Sequence, residues 1–180
     1  ILSRAYKLRV AGPSFAEAEA FLEKKLPGVA KAQLEFALCL CYNAPYGAKK
    51  LLNATYKIGK SERHLMDQLD NALRTLAAFF NAKTSLDELV AVLKALPSEL
   101  CSRLLEEMVL EDLKYKAGVN RGSLPLMSFL PYDNLAKLQA SNLFEARRGL
   151  KFIATSAPMP PSRAPAAQLR TWFLKLTGRL

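Results

Sequence analysis

Histidine is almost absent: the 180 residues contain one, His64. A single imidazole cannot complete a Cys2His2 zinc set. It would also have to serve alone in any Ser-His-Asp or Cys-His arrangement. His64 lies in the charged run Ser61-Glu62-Arg63-His64, which reads as exposed surface. Cysteine is nearly as scarce. Cys39, Cys41 and Cys101 are odd in number, so no disulfide framework is implied and reduced, buried thiols are expected. Cys39-x-Cys41 lacks a second pair at zinc-site spacing. Neither metal nor cofactor is expected.

Long apolar runs are also missing. The stretch Phe36-Ala37-Leu38-Cys39-Leu40-Cys41-Tyr42 is among the longest, far short of the roughly 18 residues a membrane-spanning helix needs. Acid is missing from both ends of the chain. Residues 1–60 carry ten Lys/Arg against four acids, residues 61–120 seven against ten, and residues 121–180 nine against two. From Ala146 to Leu180 there are seven basic residues and no acid. A net charge of +10 placed this way points to a polyanionic neighbour at the termini. Nucleic acid comes first, then an anionic lipid surface or an acidic protein.

What is present is helical periodicity. Hydrophobic residues make up 51% of the chain, enough for a packed core at this length. Ser14-x-x-Glu17 and Ser85-x-x-Glu88 are capping-box patterns, each opening an amphipathic stretch. The first carries Phe15, Ala18, Leu22 and Leu26 on one face and ends at Pro27-Gly28. A second stretch runs from Ala30 to Tyr42, with Leu34, Ala37, Leu38 and Cys41 as its inner stripe, and a third from Ala48 to Ile58. A fourth, capped by Ser61, holds Leu65, Leu69, Leu73, Leu76 and Phe80 on one stripe. The second capping box opens a helix that Pro97 closes, and Ser98 caps a long one reaching Lys116 before Gly118. Beyond it, Asp133 is a cap for a short helix through Leu138. Residues 143–154 read as a further helix, with Leu150-Lys151-Phe152-Ile153 open to a strand.

The pattern predicts an all-α fold, an irregular bundle of about six to eight helices. Its expected organisation is a basic extension over residues 1–13, a helical domain over 14–154, a Pro-rich linker over 155–167, and a basic amphipathic helix over 168–180. The chain starts with Ile rather than Met, and residues 1–16 have Arg4, Lys7 and Arg9 but no acid. That composition fits what remains downstream of a removed organellar targeting segment, and equally a basic tail. With reduced thiols, an intracellular, reducing compartment is the expected location, the mitochondrial or another organelle matrix among the candidates.

Residues 54–61, ATYKIGKS, end as a phosphate-binding P-loop ends. A P-loop needs a buried strand before it, a helix after it and glycines within it. The preceding Lys49-Lys50-Leu51-Leu52-Asn53 read as helix, and the stretch has a single Gly. A break between two helices is the better reading, with Gly59 ending one and Ser61 starting the next. Nucleotide binding is kept as a remote alternative. The acids Glu106, Glu107, Glu111 and Asp112 cluster at helical spacing; the expectation is a solvated face.

Two basic groups carry more weight. Residues 42–60 combine tyrosines with Lys49, Lys50, Lys57 and Lys60 and contain no acid. Lysines neutralise phosphates, and tyrosines such as Tyr56 stack on unpaired bases. Arg147, Arg148 and Lys151 form the second group. In the C-terminal helix, Leu169, Trp172, Phe173 and Leu176 lie on one side, with Arg170, Lys175 and Arg179 elsewhere. Such a tethered helix must dock on something, its own bundle, a partner protein, a membrane surface or RNA, and a partner protein or ribonucleoprotein is expected. The function expected is a non-enzymatic structural or adaptor subunit of a large assembly, a ribonucleoprotein such as an organellar ribosome. Other protein subunits and RNA are the expected partners. The alternative is an accessory subunit of a membrane-bound complex.

Overall fold

In the computed structural model the chain is an all-α bundle, with eight α-helices and one two-stranded hairpin among the described residues. These residues are 11–58, 61–126, 138–155 and 166–179; for 57, 58, 61 and 151–155 the backbone alone is described. The expected short helix from Asp133, most of the Pro-rich linker, and all but the last residues of the basic N-terminal extension lie outside them.

Helix α1 (Phe15–Lys25) opens on the capping box anticipated for it. The Glu17 amide donates to Ser14 Oγ at 3.3 Å, and Glu17 Oε2 accepts from the Ser14 amide at 2.8 Å. Two amide donors that the first turn leaves without intrahelical partners are thereby satisfied. Helix α2 (Lys31–Leu40) buries Leu34, Phe36, Ala37, Leu38 and Leu40, more of its circumference than the four-residue stripe anticipated. Cys41 serves as its C-cap and is only partly buried. The chain then turns through Tyr42 and Asn43, both left-handed with φ of 52° and 60°. Pro45 starts α3 (Pro45–Leu52) at a position where its missing N–H costs nothing.

Here the structure departs from the sequence reading. Helix α3 ends at Leu52 rather than Ile58, and the chain becomes extended. Strand β1 (Thr55–Ile58) pairs antiparallel with β2 (Ser61–His64), Thr55 opposite His64 and Ile58 opposite Ser61. Thr, Tyr and Ile crowd a helical turn but pack well on a pleated surface. Thr55 Oγ1 and Glu62 Oε1 meet across the pair at 2.6 Å, and the Leu65 amide donates to Ala54 O at 2.8 Å, closing the base of the hairpin. Ser61 is therefore a strand residue and not a helix cap; α4 (Leu65–Phe80) begins after His64.

Helix α4 buries Leu69, Leu73 and Leu76 of its expected stripe together with Ala72, while Leu65 and Phe80 at its ends are half-buried. Helix α5 (Leu86–Ala95) starts at the second capping box. Helix α6 (Ser98–Lys116) is the longest, and Pro97 rather than Ser98 is its N-cap. It packs on α2 and α5 and, most extensively, on α7 (Ala140–Thr155). Residues 150–153 belong to α7, so the strand alternative there is replaced by helix. Helix α8 (Ala166–Leu176) packs on α5 and α7, and its buried residues join one core shared with the other helices. No helix among the described residues is long and apolar enough to cross a membrane.

Candidate functional site

The two basic groups sit in different settings. Lys49 and Lys50 occupy the last turn of α3, Lys49 half-buried and Lys50 exposed. No described acid pairs with either. Tyr56 is half-buried on β1, opposite Arg63. Lys57 lies in β1 with only its backbone described, and Lys60 falls outside the described residues. On α7, Arg147 and Arg148 are exposed, yet each faces a carboxylate. Arg147 Nε is 3.8 Å from Glu106 and Arg148 Nη1 is 3.1 Å from Glu145. Lys151 is on the same helix, described by its backbone. Helix α3 packs on α1, α2 and α4, whereas α7 packs chiefly on α6 and α8. The acid-free lysines of α3 are thus the less neutralised group.

The C-terminal helix corrects an expectation. Trp172, Phe173 and Leu176 were assigned to a partner; they are buried in the chain's own core. Trp172 Nε1 donates to Ala146 O at 2.7 Å, and the Phe173 ring meets Phe79 edge-on at 5.6 Å. The reason is steric fit: Gly149 on α7 has no side chain, and the Trp172 ring occupies that space. A Cβ at Gly149 would lie 3.2 Å from Trp172 Cδ1. Arg170 is tied to Asp87 of α5 at 2.7 Å. Lys175 and Arg179 remain exposed. A membrane-surface role that needed the apolar face of α8 loses its motivating feature.

The acidic cluster is the second correction. Glu107, Glu111 and Asp112 are buried, not solvated. Glu107, Glu111 and Lys114 share one face of α6 and line a cleft of about 530 Å³ with Phe15, Cys39 and Tyr42. The Cys39 thiol donates to Glu107 Oε2 at 3.6 Å and approaches Glu111 Oε1 at 4.0 Å. Glu111 Oε1 also accepts from the Leu126 amide at 2.9 Å, fastening the segment after α6 to the helix. Burial, followed by the two neighbouring carboxylates, pushes the Cys39 thiol well above its ordinary range. Burial likewise raises Glu107. These contacts join α2, α6 and residue 126. Nothing in the sequence spacing could place Cys39 beside acids 68 and 72 residues away.

The P-loop spelling ends in a hairpin. A phosphate cradle requires a helix N-terminus following its Gly-Lys-Ser; Ser61 instead begins strand β2, antiparallel to β1. Protein-family models, curated proteins and solved structures yield no match to this chain.

Proposed function

We propose that the chain is a non-enzymatic helical subunit of a ribonucleoprotein, whose basic surface contacts RNA backbone while its helices contact neighbouring proteins. One observation carries this reading. Three of the sixteen acids, Glu107, Glu111 and Asp112, are withdrawn into the interior, so the surface is more cationic than the formal +10 indicates. Several exposed acids are committed locally as well. Glu17 and Glu88 close capping boxes, and Asp70 and Glu99 pair with arginines one turn along. The lysines of α3 have no such local partner among the described residues. Phosphate contact supplies affinity without requiring a shaped pocket.

Affinity purification of the chain from its own cells, with and without ribonuclease, tests the proposal. Co-purification of RNA and companion proteins, lost after ribonuclease, is expected. Recovery of the chain free of RNA before any ribonuclease would refute it.

A further inference from the structure

The corner between α2 and α3 leaves two aromatic rings in water. Tyr42 is 60% exposed and Tyr46 74% exposed, in a chain that buries nearly all of Trp172 and Phe173. Tyr42 occupies a left-handed position that glycine fills without strain. The Asn43 amide donates to Leu38 O at 2.9 Å, so the backbone needs that turn, but it does not need a tyrosine. A strained position held for a side chain with little burial suggests that the side chain has another use.

The Tyr42 ring is held in place on one side. Arg103 Cζ sits 5.0 Å from its centroid, and the hydroxyl donates to Glu106 Oε2 at 3.3 Å. Arg103 is itself fixed, by Glu99 and by a 3.3 Å hydrogen bond to Leu40 O. Tyr46 rests against Phe21, with ring centroids 5.2 Å apart. Rings restrained in this way lose little side-chain freedom when something stacks on them. Tyr46, Lys49 and Lys50 stand at i, i+3 and i+4 on α3, so they share a face. Two acids at the corner are occupied: half-buried Glu106 faces Arg147 and Tyr42, and exposed Glu99 faces Arg103. Glu35, Glu107 and Glu111 line the cleft that Tyr42 borders.

We infer that this corner is a stacking site for unpaired RNA bases, with Tyr42 and Tyr46 as the platforms and Lys49 and Lys50 on the adjoining phosphates. The inference rests on the RNA reading above and narrows it to single strands. Duplex RNA keeps its bases inside and offers no free face to a tyrosine. An acidic peptide would satisfy the lysines but leave the rings without a role.

The test is fluorescence anisotropy on the whole chain, using a labelled oligouridine of about 12 nucleotides and a duplex of the same length. Tyr42→Leu and Tyr46→Leu should each weaken single-strand binding about tenfold and leave duplex binding unchanged. Lys49→Gln and Lys50→Gln should weaken both. Tyr42→Gly separates folding from binding, because it relieves the left-handed strain: thermal stability holds or rises while single-strand affinity falls. RNA binding that is insensitive to both tyrosines would overturn the stacking site and leave the RNA reading standing. Absence of RNA binding at low salt would remove both. Competition by oligoglutamate as effective as by unlabelled oligouridine would assign the corner to acidic protein and overturn the inference.

Discussion

At the scale of single residues, the most unusual group is Asp112. It is fully buried, and neither carboxylate oxygen accepts a hydrogen bond among the described residues. Lys116 approaches one oxygen at 3.8 Å. Burial dominates, and the carboxyl is pushed up from 3.8 to about 6. A raised carboxyl binds its proton more tightly in the folded chain, so this group opposes folding at neutral pH. The penalty is relieved as pH falls through 6 toward 3.8. The advantage of Asp112→Asn over wild type in urea unfolding should therefore be larger at pH 7 than at pH 5, by about 1 kcal/mol. An advantage independent of pH would show that burial does not raise the Asp112 carboxyl. Glu107 and Glu111 are at the same scale what the sequence concealed. Their spacing identifies a shared helix face, but whether that face meets water or Cys39 depends on α2, dozens of residues earlier. A capping box, in contrast, is contained within four residues, and both were legible. Ser85→Ala should cost about 1 kcal/mol in thermal or urea unfolding.

At the scale of elements, helices with an apolar stripe were legible because their signal repeats several times within one segment. The hairpin was not, because each strand has four residues and α3 runs into it with no proline between. Its signal existed: two short runs, one of them Thr55-Tyr56-Lys57-Ile58, separated by Gly59-Lys60, a two-residue spacing that favours a tight hairpin. The motif spelling drew attention to phosphate chemistry instead. Helix α8 teaches the complementary lesson. Its amphipathic stripe was plain, but the acceptor was not. The acceptor is a glycine on α7, which marks where a ring can approach a backbone closely. Gly149→Val should push α8 off α7 and destabilise the fold by about 1–3 kcal/mol, although valine removes a mid-helix glycine. Unchanged unfolding, with Trp172 fluorescence still typical of a buried indole, would contradict that packing.

At the scale of the whole molecule, the fold sorts charge. Many of the described carboxylates are buried, capped or paired, and on α3 Lys50 faces solvent with Lys49 half-buried, beside two exposed tyrosines. The all-α class was legible from periodicity; the polyanion preference is a proposal from composition. Which cations remain available was not, because pairing such as Arg147 with Glu106 depends on how α6 and α7 meet. Surface charge of this kind acts through released counterions, so its signature is thermodynamic rather than geometric.

The central claim is therefore tested most directly by the salt dependence of single-stranded RNA affinity. The logarithm of the association constant should fall linearly with the logarithm of salt concentration. Replacing Lys49 and Lys50 together by Gln should make that slope shallower by about 1.4, from roughly 0.7 per phosphate contact. A slope near zero, or one that the double replacement leaves unchanged, would contradict the account.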